Sequence, residues 1–260
     1  YISIAASVAL LTGVFFFMGE QAGSTNKEVA TLVQKSTPSG QKLTVRLNDG
    51  TVVKLNAESK LNYEESFQEN KREVHLEGEA YFDVARDDSR PFLIHTGNII
   101  TKVLGTSFNV RAYPDDENIQ VVVKSGKVSV EKTDDVRKGE KAILLPMEMI
   151  TYHQSGKMVK EEVDNPAYYL SWKENIIYLH NAKWLEIEAT LERWYGKKIN
   201  VSGKPDLENG WQGKPAARIS CAGTPWYMRW VTRAVSTLVF PLPAPASTIT
   251  GPSVARTACF

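Results

Sequence analysis

The stretch EVHLEGEAYFDVARDDSRPFLIHTGNIITKVLGTSFNVR, from Glu73 to Arg111, decides the fold. Val74, Leu76, Ala80, Phe82 and Val84 fall at every second position, with Glu73, His75, Glu77, Glu79 and Asp83 between them. That is the period of a half-buried strand. Two more strands are expected beyond it. Phe92 to Thr96 follows a polar turn ending in Pro91, and Thr101 to Leu104 with Thr106 to Val110 forms a strand bulged or bent at Gly105. No nucleophile beside a base and no repeated metal-ligand spacing interrupts the run.

Working outward, Leu43 to Leu47 and Thr51 to Leu55 flank Asn48-Asp49-Gly50. An Asp-Gly pair between alternating runs is a strong hairpin signal. Leu61 to Tyr63 reads as a short strand and Glu64 to Arg72 as a charged loop. Ile119 to Lys124 and Lys127 to Lys132 read as a second hairpin around Ser125-Gly126, and Lys141 to Leu145 and Met149 to His153 close the series. Many short strands with closely spaced turns imply an all-β sandwich or a solenoid-like stack, and periodicity does not separate the two.

These motifs carry a family resemblance. GEAYFDV (Gly78 to Val84), RPF (Arg90 to Phe92) and VLGTSFNVRAY (Val103 to Tyr113) resemble the periplasmic domain of FecR-type transmembrane anti-sigma regulators. Pro38 to Tyr63 resembles the opening hairpins of that domain. Trp172 to Ile199 resembles the small α/β module that follows it in many members, similar to the signalling domain at the N-terminus of secretins and TonB-dependent transporters. On this resemblance Gly78, Glu79, Ala80, Phe82, Val84, Gly105, Thr106, Phe108 and Val110 are structural family positions.

At the N-terminus no charged residue occurs between Tyr1 and Gly19, which is about the length that crosses a bilayer as a helix. A membrane anchor is expected over 1–19, in preference to a cleaved signal peptide, and a linker over 20–37. The β domain is expected over 38–160. After a linker around Asn165-Pro166, a partial α/β module is expected over 170–213. In it Ile176 to Leu179 is a strand, and Trp184, Ile187, Leu191 and Trp194 form one face of a helix that Leu185 and Tyr195 widen. Gly196 stands just past the helix end, and Ile199-Asn200-Val201 is a second strand. All thirty acidic residues lie at or before Glu208, and half of the prolines and both cysteines, Cys221 and Cys259, lie in 214–260. This tail departs from the family pattern. We read a frameshift or assembly error in preference to a divergent extension, which would leave half of the module missing and expose Trp184 and Leu191. The chain does not begin with Met, and a fragment of a longer protein is expected.

A net charge of +1 over 260 residues gives no pull toward nucleic acid. Glu77 and Glu79, two apart on one strand face, could act as acid and base, but alternating charges on a solvated face account for them better. Asp87-Asp88 and Asp115-Asp116-Glu117 could take calcium but read as turns. His75, His95, His153 and His180 lack ligand spacing. Trp172, Trp184, Trp194 and Trp211 could stack on sugars, the middle two being better explained as core. No cofactor, metal or enzymatic activity is expected.

The resemblance implies a single-pass inner-membrane regulator, periplasmic after about residue 20. A missing N-terminal region would hold an extracytoplasmic-function sigma factor. The periplasmic part would answer the signalling domain of a TonB-dependent transporter serving iron or nutrient uptake, with an envelope protease acting downstream. Strand addition at Ile199, Asn200 and Val201 is the expected contact. The alternatives are a periplasmic glycan- or polymer-binding sensor, and an envelope hydrolase using Glu77 and Glu79.

Overall fold

A computed structural model describes residues 31–133, 141–178, 184–202, 218–221, 224–226 and 237–238. The expected membrane helix over 1–19 lies outside these. Among the described residues no helix is long and apolar enough to cross a membrane.

The expected 73–84 strand is β5, Arg72–Asp83, and it belongs to two sheets. Its first half pairs with β4 (Lys60–Glu64) and, in parallel, with β6 (Phe92–Thr96). Its second half pairs with β3 (Val52–Leu55) and β8 (Ser107–Ala112). The change falls at Gly78, where φ is +97° and an added Cβ would come within 2.5–2.8 Å of Ser59. Only a residue without a side chain takes that conformation at that approach. The first sheet grows outward to β1 (Leu32–Ser36) beside β4, and through β7 (Ile99–Val103) and β10 (Val128–Lys132) to β11 (Lys141–Leu144). The second grows to β2 (Leu43–Arg46) beside β3, and through β9 (Asn118–Ser125) and β12 (Glu148–His153) to β13 (Met158–Glu162). β1 lies within the stretch expected as linker.

Both sheets feed one apolar core. Leu61, Val74, Leu76, Phe92, Ile94 and Leu144 enter from the first and Val53, Leu55, Phe82, Phe108, Val110 and Val123 from the second. Phe82 stacks on Phe108 at 5.4 Å and meets Phe92 edge-on at 6.2 Å, joining the layers. The strands join through β5 into one thirteen-stranded sheet that curls into a nearly barrel-like form around this core, and the chain alternates between its two halves. The expected hairpin around Gly126 is therefore not formed: β9 lies in the second sheet and β10 in the first, and Gly126, with φ +87°, turns the chain across. Residues 101–110 likewise form two strands in different sheets, parted at Gly105, not one bulged strand. The Asp-Gly hairpin is present as expected, pairing Arg46 with Val52.

Arg72 is not in a charged loop. It opens β5 fully buried, its Nη1 2.8 Å from both Asp49 Oδ2 and the Ala85 carbonyl and its Nε 3.0 Å from the Arg90 carbonyl. Asp49 also accepts from the Thr51 amide at 2.9 Å, so the β2–β3 turn is tied to both ends of the 84–90 loop.

The outer face of the second sheet is covered by the C-terminal module. This comprises α1 (Ala167–Leu170), a 3-10 turn (Ser171–Glu174), β14 (Ile177–Tyr178) and α2 (Trp184–Tyr195), then β15 (Ile199–Ser202). Leu170, Trp172, Ile177, Ile187, Leu191, Trp194 and Ile199 form a second apolar cluster with Tyr81 of β5. Leu191 is therefore buried at 2 % exposure, against the expectation for a half module, whereas Leu185 is 69 % exposed and does not widen the apolar stripe. In the tail, β16 (Arg218–Cys221) pairs with β15, β17 (Thr224–Trp226) with β16, and β18 (Thr237–Leu238) with β14.

Candidate functional site: a buried polar joint under the C-terminal module

Beyond the Gly78 bend the outward positions of β5 are Glu79, Tyr81 and Asp83, the alternation that puts Ala80 and Phe82 in the core. Glu79 was expected on a solvated face. It is 5 % exposed instead, because the module covers that face. Its Oε2 accepts from Asn56 Nδ2 at 2.8 Å and its Oε1 from Asn109 Nδ2 at 2.9 Å, with Arg111 Nη1 at 3.7 Å. Asn109 in turn accepts at Oδ1 from the indole Nε1–H of Trp172, at 3.1 Å. A continuous chain of hydrogen bonds thus runs from Asn56 through Glu79 and Asn109 into the module. Buried polar groups are tolerated only when partnered in this way.

Arg193 of α2 makes the return contact. It is 5 % exposed, its Nη2 lies 2.7 Å from Asp115 Oδ1 and 2.9 Å from Asp116 Oδ1, and its guanidinium sits 3.8 Å from the centre of the Tyr113 ring. Asp116 also takes Arg111 Nε at 2.8 Å. The acidic run once open to calcium therefore serves an arginine pair, and among the described residues no group of three or more metal-ligating side chains occurs. Tyr113 donates its hydroxyl to the Ala57 carbonyl at 2.8 Å, and burial, reinforced by Glu79, pushes its pKa well above the ordinary tyrosine value.

Lys42, just before β2, closes the other side. Its ammonium donates to the Trp172 carbonyl at 2.6 Å and to Asn175 Oδ1 at 2.8 Å, and lies 3.7 Å from the Trp194 ring centre. Desolvation lowers its pKa to about 8, against the pull of Glu79. The Gly40 amide donates to the Arg193 carbonyl at 2.7 Å, so the turn before β2 also holds the end of α2. Gly196 ends that helix as expected, with φ +64°.

Glu77 and Glu79 do not form a catalytic pair. The Gly78 bend sends Glu77 to the first sheet, opposite Lys60, and Glu79 to the second, opposite Arg111. Trp172 and Trp194 are 6 % and 7 % exposed and offer no sugar-stacking platform. Trp211 and the side chain of Trp184 lie outside the described residues. Asp87 accepts from the Ser89 hydroxyl at 2.6 Å and from Arg90 Nε at 2.8 Å, with the two amides behind them, and these hydrogen bonds hold its carboxyl well below the usual range. Of the histidines, His75 and His95 do meet: the parallel β5–β6 register stacks their rings at 4.6 Å, with His95 Nε2 3.3 Å from Glu73. Burial, then the neighbouring His95, lowers the pKa of His75. Ile199, Asn200 and Val201 form β15, the terminal strand of the order β15-β16-β17. The Ile199 amide already donates to Glu192 Oε1 of α2 at 2.9 Å.

The molecule is thus a curled β domain with a helical module latched to its outer face by a buried polar joint. The family described as FecR protein matches residues 34–129. Two crystal structures of candidate anti-sigma factors from Parabacteroides distasonis resemble the chain. One, at 2.50 Å, is 36 % identical with a TM-score of 0.60, covering 64 % of this chain and 76 % of that one. The other, at 1.65 Å, is 34 % identical with a TM-score of 0.63, covering 70 % and 83 %. No curated protein matches. The chain belongs to the FecR family of anti-sigma factors.

Proposed function

We propose that this chain is the receiving half of an inner-membrane anti-sigma regulator, answering an outer-membrane TonB-dependent transporter and controlling an extracytoplasmic-function sigma factor. The supporting observation is the joint: the module is held to the β domain by a buried polar chain centred on Glu79, a contact that a partner can compete for. In this reading the transporter's signalling domain adds a strand along Ile199-Asn200-Val201. It binds the undocked module more tightly than the docked one, which is the only way a partner shifts such an equilibrium. Undocking then exposes a protease-sensitive stretch near the membrane, cleavage follows and the sigma factor is released.

The test is a reporter driven by the sigma factor in cells carrying the full regulator. Val201→Pro in β15 should block induction and abolish binding of the purified transporter domain, because the Val201 amide lies on the same side of the strand as that of Ile199, which faces Glu192 and not β16, and proline there cannot donate to the new ladder. Unchanged binding and induction would remove β15 as the contact. Unchanged induction after deletion of the transporter's signalling domain would remove the transporter.

A further inference from the structure

We infer that the cavity between the β domain and the C-terminal module binds a small neutral polyhydroxylated ligand, about the size of one sugar ring. The cavity holds about 190 Å³. That is the room of about six waters and lies below the roughly 300 Å³ at which sites for drug-sized ligands begin. Asn56, Glu79, Asn118 and Gln120 line it from the β domain, and Thr190 and Arg193 from α2.

Two buried polar atoms of this lining have no protein hydrogen-bond partner, Asn56 Oδ1 and Arg193 Nη1. Neither side chain is free to turn toward one. Asn56 is fixed by its donation to Glu79, and Arg193 by Asp115, Asp116 and the Tyr113 ring. What remains is one acceptor and one donor, each buried and each costly to leave unmatched.

The chemistry of the lining selects the occupant. Glu79 is taken by Asn56 and Asn109, Asp116 by Arg111 and Arg193, and Glu186 is also partnered, so a cation finds no carboxylate of the lining free, and an anion finds the charges of Arg111 and Arg193 already neutralised. An apolar molecule would leave both orphaned atoms unmatched. A hydroxyl both donates and accepts, so neighbouring hydroxyls of one ligand satisfy an acceptor and a donor together, and the amides of Asn118 and Gln120 offer the same dual chemistry. Because the walls come from both sides, a bound ligand favours the docked module by mass action. The site shares no residue with β15, and on the reading above a ligand that favours the docked module opposes a partner that binds the undocked one.

The test is calorimetric titration and thermal unfolding of the full chain with a panel of neutral hexoses, pentoses and N-acetylhexosamines, with phosphate and dicarboxylates as charged controls. We expect at least one neutral sugar to bind one-to-one and raise Tm. Binding should weaken about tenfold in Gln120→Ala, the loss of one hydrogen bond, and vanish in Thr190→Trp, which fills the cavity. If Thr190→Trp does not fold, the Gln120→Ala titration decides. No saturable binding by any neutral sugar up to about 50 mM, well above a millimolar dissociation constant, means that only water fills the cavity and overturns the inference. Tighter binding of the charged controls, or sugar binding undiminished in Gln120→Ala, overturns it equally.

Discussion

The two halves of β5 each bury a charge, and the partners of those charges differ in kind. At the first end, Arg72 is held by Asp49 and by the carbonyls of Ala85 and Arg90, all within the β domain, its Nη2 alone lacking a partner. At the second, Glu79 is satisfied by Asn56 and Asn109, and through Asn109 the chain of contacts reaches Trp172 of the module. Both carry the desolvation cost of a buried ion, which a hydrophobic pair would avoid. What the first achieves is closure of the β2–β3 turn onto the 84–90 loop. What the second achieves is placement of one unit on another. One end of the strand is a fastening of the fold, the other a joint, and the glycine between them divides the roles.

The contrast is broken most severely at the first end. Asp49→Ala leaves Arg72 buried without its counter-ion and should cost about 3–5 kcal/mol, seen as a lower denaturant midpoint for the whole β domain. A loss under about 1 kcal/mol would mean that the pair is not a fastening. Next comes the divide itself. Gly78→Ala meets both the positive φ and the Ser59 backbone, and about 3 kcal/mol should be lost, again by equilibrium unfolding.

A smaller effect sharpens the second end. Tyr113 has a raised pKa in the fold, so the unfolded chain releases this proton first, near the ordinary value of 10.0. The contribution is fully present below pH 10 and is lost above it, at about 1.4 kcal/mol per pH unit. Unfolding free energies measured at pH 9 and pH 11 should differ by about 1.4 kcal/mol through this residue, and Tyr113→Phe should remove that share.

Much of the fold was legible in local pattern. Alternation located the core strands, the Asp-Gly pair located its hairpin, and the 3-4-3 spacing of Trp184, Ile187, Leu191 and Trp194 located α2. The sheet to which a strand belongs was not legible, because a period of two is the same in either layer. That is why β9 and β10 read as a hairpin although Gly126 carries the chain across. The joint was less legible still. Glu79 looks like any polar position of an alternating strand until a helix more than a hundred residues later covers it, and Arg72 looks like loop because its neighbours are charged. The His75–His95 stack depends on a parallel register that no local signal encodes. The membrane anchor expected over 1–19 and most of the 214–260 tail lie outside the described residues.

The account's central claim is that Glu79 joins the module to the β domain without being needed for the β domain itself. Native-state hydrogen exchange on Glu79→Met tests it most directly. Methionine keeps about the length of the side chain but carries no oxygen, so both Asn56 and Asn109 lose their acceptor. The account predicts protection lost along α2, from Trp184 to Tyr195, with β6 to β10 unchanged. Equal loss of protection in both units, or none in either, would contradict it.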